Sequence, residues 1–227
     1  MLRKVIITLS FSLMFTSVTT VVKAEWIKDQ QNKWVYYEND SSKLNYNMTE
    51  NYIEPMKLPQ YYQADDRWGA KRYGLSNMKL TGCVPTALAM AISGLKEDVN
   101  PVQVADFLYN MTMELNTTFL GTSSLGVQEV VSQWGLNYKV IDSKEELEKT
   151  LKNGTLVYGA VGHGIFVNGY STHAVLLTGY ENGKTKAFDP DNMAKTNKWY
   201  NIDDIWKERS LAPEDNMTGG AFIAIYK

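Results

Sequence analysis

The chain carries a single cysteine, Cys83, and two histidines, His163 and His173. A thiol attacks a carbonyl only as thiolate, and it needs an imidazole to take and return its proton. Cys83 lies in KLTGCVPTALAMA (79–91), where a helix is expected to begin. The free N–H groups and dipole of a helix start favour an anion, so this is where a nucleophilic thiolate is stabilised. Gly82 keeps side-chain bulk away from it, so that a substrate backbone can approach. His173, in STHAVLLTGY, opens an apolar strand and is rigidly mounted. His163, in AVGHGIF, stands between glycines and reads as a surface-loop residue. Asp189 is the candidate to orient the imidazole, with Asp191 in reserve. Register decides between them. A two-residue turn at Asn182-Gly183 would set Asp189 on the sheet face away from His173. A three-residue loop with Gly183 as a left-handed bulge would set His173 opposite Asp191, with Asp189 its same-face diagonal neighbour. A bulged or odd-length loop is therefore expected. A two-residue turn would demand either another partner or a further bulge.

Several elements must hold these groups. Apolar residues at helical spacing predict a helix over 85–95, with Pro85 in its first turn. NPVQVADFLYNM restarts a helix with Asn100 as cap, and GTSSLGVQEVVSQWG gives another ending at Gly135. LNYKVI is a short strand. Ser143 and Glu146 form a capping-box pattern for a helix ended by Gly154. TLVYGAVG, STHAVLLTGY, TKAFDP and GGAFIAIYK then read as strands, with NIDDIWKER a short helix among them. Helices early and an antiparallel sheet late are the α+β class.

Two arginine or lysine charges at Arg3 and Lys4, an uncharged run over 5–22 and a small-residue site closing on Ala24 predict a secretory signal peptide over 1–24. The expected location is secreted or extracellular, or at the cell wall. No later apolar run is long enough to span a membrane. Residues 25–56 are polar and aromatic without helical period. They read as an N-terminal arm or pro-segment, with WVYYEN a potential strand, and EWIKDQQNKWVYYEN resembles one degenerate unit of aromatic wall-binding repeats. With 23 basic and 25 acidic residues and no basic block, nucleic acid is not an expected partner. A lone cysteine allows no internal disulfide. No His/Cys/Asp cluster has metal-ligand spacing and no glycine motif cradles phosphate, so no metal or cofactor is expected.

Taken in order, YYQADDRWG, LTGCVPTALAMAIS, STHAVLLTGY and AFDPDN resemble the papain-like cysteine peptidases, in particular the bacterial branch similar to the double-glycine leader peptidases, family thirty-nine. The resemblance covers about 57–227. It implies a papain-like fold, with the nucleophile at the start of a helix packed on a C-terminal antiparallel sheet. It implies Cys83 as nucleophile, His173 as general base and acid, and Asp189 as the orienting group. Gln63 would supply a side-chain amide that joins the Cys83 N–H in binding the oxyanion. Asp66 and Trp68 match the motif but read as structural. The leader peptidases are cytosolic domains of transporters, whereas this chain has an export signal, and its Gln63-to-Cys83 spacing is longer. The expected activity is a secreted or wall-associated cysteine peptidase acting on peptide, protein or cell-wall peptide. The same site would also serve a peptidoglycan stem-peptide amidase or transferase, and an idle surface-binding module is the non-enzymatic reading.

Overall fold

The computed structural model describes residues 52–227 and, ahead of them, the backbone of two short strands. These are β1 (Glu25–Lys28) and β2 (Trp34–Tyr37), antiparallel with Glu25 opposite Tyr37. The expected strand in WVYYEN is thus present, while the expected signal peptide lies outside the described residues. The chain divides into the units Met1–Glu50 and Asn51–Lys227. The second begins slightly before the expected boundary at 57, because β3 (Tyr52–Ile53) already pairs with the main sheet.

The larger unit opens with a small ribbon, β4 (Arg72–Tyr73) and β5 (Ser76–Asn77), followed by the one-turn helix α1 (Met78–Thr81). Asn77 caps α1 by accepting the Leu80 N–H. α2 (Cys83–Leu95) follows after a single residue, starting two positions before the expected helix. It is apolar nearly all round, with 84–92 buried, as suits a central helix covered on every side. α3 (Pro101–Phe107) packs on it, capped by Asn100 and Gln103 in a full capping box. Its end widens into one π-turn, Leu108–Thr112. α4 (Ser124–Gln133), β6 (Asn137–Ile141) and α5 (Lys144–Lys152) come next. The box expected at α5 is half formed. Ser143 Oγ accepts the Glu146 N–H, but the Glu146 carboxylate takes the Asp142 N–H rather than that of Ser143.

The remaining elements are β7 (Leu156–Val161), β8 (His173–Glu181), β9 (Lys184–Phe188), β10 (Lys198–Asn201), α6 (Ile202–Lys207) and β11 (Phe222–Tyr226). The sheet is antiparallel in the order β10-β9-β8-β7-β11-β6, and β3 pairs with the end of β8 remote from His173. α2 lies against β7 and β8. Gly159 of β7 makes room for the Phe222 ring, which stacks on Trp206. The class is α+β, as expected.

The β8–β9 connection corrects one expectation and keeps its consequence. The loop has two residues, Asn182 and Gly183, both at positive φ, the conformation of a tight hairpin turn. The parity change is made instead inside β8. Glu181 faces Lys184 and Thr178 faces Lys186, so Gly179 and Tyr180 together oppose Thr185. Beyond this bulge Leu176 pairs with Phe188, and the same register brings Asp189 level with Val175, on the His173 face. Gly179 is at φ +74°, and a Cβ there would sit 2.7–2.8 Å from Pro55. Gly179→Val is therefore expected to lower stability by about 2–4 kcal/mol through backbone strain and collision. A thermal melt unchanged from wild type would refute the bulge as a required feature.

Candidate active site

Cys83 is the first residue of α2 and is partly exposed. No side chain caps this helix start. At Gly82 the chain itself leaves no room for a side chain. A Cβ there would collide with the Met78 carbonyl oxygen, which accepts the Gly82 N–H at 2.8 Å. The glycine thus lets α1 fold directly onto the start of α2, and this sets the direction of Cys83. Gly82→Ala is expected to push α1 and α2 apart and cut peptide turnover by roughly 100-fold, since displacement of about 1 Å costs that much. Turnover at the wild-type rate in that variant would show the junction to be compliant.

His173 is the first residue of β8, opposite Val161, and its side chain is 11% exposed. Nε2 donates to Asp189 Oδ1 at 2.8 Å. Nδ1 is then the nitrogen left for the Cys83 thiol, which lines the same cavity. Burial alone would disfavour charge on the imidazole. The hydrogen bonds and opposite charge of Asp189 and Cys83 outweigh it, and His173 is held up at about 10.

Asp189, 1% exposed, follows β9 and is fixed on every side but one. Its Oδ1 also accepts the N–H groups of Asp191 (2.8 Å) and Asn192 (3.1 Å). Its own N–H donates to Thr196 Oγ1, and Thr196 Oγ1 donates back to its carbonyl. Oδ2 is buried without a partner. The reserve candidate Asp191 has an exposed side chain and contributes only its backbone. His163 is exposed in the loop before β8, where Nδ1 accepts the Gly169 N–H at 3.4 Å.

Gln63 is buried, and it ties two parts of the site together. Its N–H donates to the Pro190 carbonyl beside Asp189 (2.8 Å), and its Nε2 to the Lys79 carbonyl in α1 (2.8 Å). Trp68 is buried with Nε1 donating to the Tyr62 carbonyl, a structural bond as expected, and Asp66 is exposed.

A cavity of about 400 Å³ holds Cys83 and His173. It also contains residues that the sequence did not single out: Tyr158, Thr172, Glu214 and Asp215. Burial, then Asp215 and Cys83, push the Tyr158 phenol well up. Burial also raises the Asp215 carboxyl, against the opposing pull of the Ser210 hydroxyl that bonds it. No local pattern distinguishes Asp215 from other acids in APEDN; only the return of β11 beside β7 brings it here. Among the described residues, no three His, Cys, Asp or Glu side chains are grouped to hold a metal, and no helix is long and apolar enough to cross a membrane.

A helix-borne thiol set against a strand-borne imidazole, with helices packed on an antiparallel sheet, is the papain-like α+β arrangement. Residues 56–218 match the Peptidase_C39 like family, and the chain belongs to that family of peptidases. No curated protein matches the chain. Among solved structures, a C39-like peptidase from Bacillus anthracis superposes with a TM-score of 0.52 at 16% identity, covering 77% of this chain and 98% of its own. The peptidase domain of Streptococcus ComA, a bi-functional ABC transporter of a quorum-sensing pathway, gives 0.46 at 18% identity, covering 65% and 90%. A double glycine motif protease from an AMS/PCAT transporter, in complex with the leader peptide, gives 0.44 at 18% identity, covering 76% and 91%.

Proposed function

We propose that the chain is a secreted or cell-wall-associated cysteine peptidase with Cys83, His173 and Asp189 as its triad. The observation that carries this is the His173–Asp189 hydrogen bond, which aims the imidazole at the one cysteine of the chain. The Cys83 thiolate adds to the scissile carbonyl carbon. The resulting oxyanion is met by the Cys83 N–H and by the second Nε2 hydrogen of Gln63, whose first is held by Lys79. The imidazolium gives its proton to the leaving nitrogen, the C–N bond breaks, and a thioester remains. Water then attacks the thioester while His173 takes its proton; the acid leaves and the imidazolium–thiolate pair is restored. Residues 1–24 serve as export signal and 25–56 as an arm or pro-segment.

The test is to incubate the exported protein with peptides and with wall fragments and identify products by mass spectrometry. The expected result is hydrolysis of peptide bonds, abolished by prior iodoacetamide. Activity that survives complete alkylation of Cys83 would sink the proposal. Products arising from wall fragments alone would move the activity to the stem-peptide amidase.

A further inference from the structure

The cavity beside Cys83 and His173 has an acidic floor that hydrolysis itself does not use. Asp215 stands in a one-turn helix, Glu214–Asn216, just ahead of β11, and is 7% exposed. It is mounted rigidly. Its Oδ2 accepts the Ser210 hydroxyl at 2.6 Å, and Ser210 Oγ is held in turn by the Ala212 N–H. All these partners are neutral, and no Lys or Arg among the described residues pairs with Asp215 or with its neighbour Glu214. Tyr158 lies beside it, 2% exposed, and lines the same cavity. A buried carboxylate without a counter-charge is costly, and a phenol hydroxyl beside it is a second polar group for a ligand to meet. Both open into one cavity, and the walls of that cavity include the apolar Leu80, Val84, Phe119 and Leu120. Apolar walls above a fixed anion and a hydroxyl match an alkyl stem ending in a cation.

Building on the peptidase reading, we propose that this cavity is a specificity subsite taking a lysine or arginine side chain of the substrate peptide, with Asp215 as the counter-charge and the Tyr158 hydroxyl as a second acceptor. Glu214 adds negative potential next to Asp215 and draws basic peptides towards the cleft.

The test is a cleavage map. The exported protein digests a peptide mixture cut beforehand at acidic residues, so that lysines and arginines remain internal, and the cut sites are read by mass spectrometry. The expected result is enrichment of lysine and arginine by roughly tenfold at one fixed position from the cut. In Asp215→Asn the ratio of basic to neutral residues at that position should collapse towards background, whatever the overall rate. Tyr158→Phe, which removes one hydroxyl, should weaken it a few-fold. If Asp215→Asn does not fold, as a thermal melt would show, the ratio in Tyr158→Phe decides. Cutting without basic preference in wild type, or a preference unmoved by both variants, overturns the subsite and leaves the peptidase reading intact. A wild-type protein that cuts no peptide overturns both.

Discussion

Cys83→Ala is expected to lower kcat/KM for peptide hydrolysis by about 10⁴-fold or more, to the background left by binding and oxyanion contacts. No second thiol can substitute, because Cys83 is the only one. His173→Ala should come close to the same loss, since the two groups act as a unit and their effects do not add. Thiol chemistry separates the two variants. Wild type should react with iodoacetamide at pH 6 about tenfold faster than His173→Ala, in which the thiol has lost its cationic neighbour. Comparable labelling in both, together with retained hydrolysis in either, would mean that the cleft residues are bystanders.

Asp189 gives the second large effect, and its geometry makes Asn and Ala diverge. Asp189→Ala leaves an imidazolium buried beside an empty site, and a loss of about 10²–10⁴-fold in kcat/KM is expected. Asp189→Asn should cost only about tenfold. One oxygen, Oδ1, accepts all three donors, so an amide oxygen can replace it. The reverse orientation would turn an NH₂ group against the Asp191 and Asn192 N–H groups. The new NH₂ must then take the place of Oδ2, which has no partner already. What Asn removes is charge, so the alkaline limb of activity should move to lower pH. In wild type His173 is held above its ordinary 6.5, at about 10. A group raised in the folded state stabilises fully below its unfolded value, and that stability is lost as pH rises through the folded value. Wild-type melting temperature should therefore decline between about pH 6.5 and 10. In Asp189→Asn the decline should be smaller and end at a lower pH. An identical pH profile in the two proteins would show that Asp189 does not govern the imidazole charge.

The one-dimensional signals in this chain reported local events well. Asn100 with Pro101 starts α3, Gly135 and Gly154 follow helix ends at positive φ, and Asn182-Gly183 makes the hairpin turn. Caps and turns depend on a few neighbouring residues, so their chemistry is visible in order. The α+β class, and the candidacy of Cys83 and His173, which line one cavity, were legible for a similar reason: one thiol and two histidines leave little choice. Gly82 and Gly179 were a different matter. Gly82 is needed because of the carbonyl four residues before it, and Gly179 because Pro55 crosses it from far away in the chain.

The sequence alone thus determined which side chains can do chemistry and on which elements they ride, because those follow from residue type and local spacing. Only the tertiary structure decided which acid meets the imidazole. That choice depends on strand parity, and one bulge at Gly179–Tyr180 moves Asp189 to the His173 face, a non-local event with no sequence period. It also decided that Tyr158 and Asp215 floor the cleft, because strand order in the sheet, rather than order along the chain, sets β11 against β7.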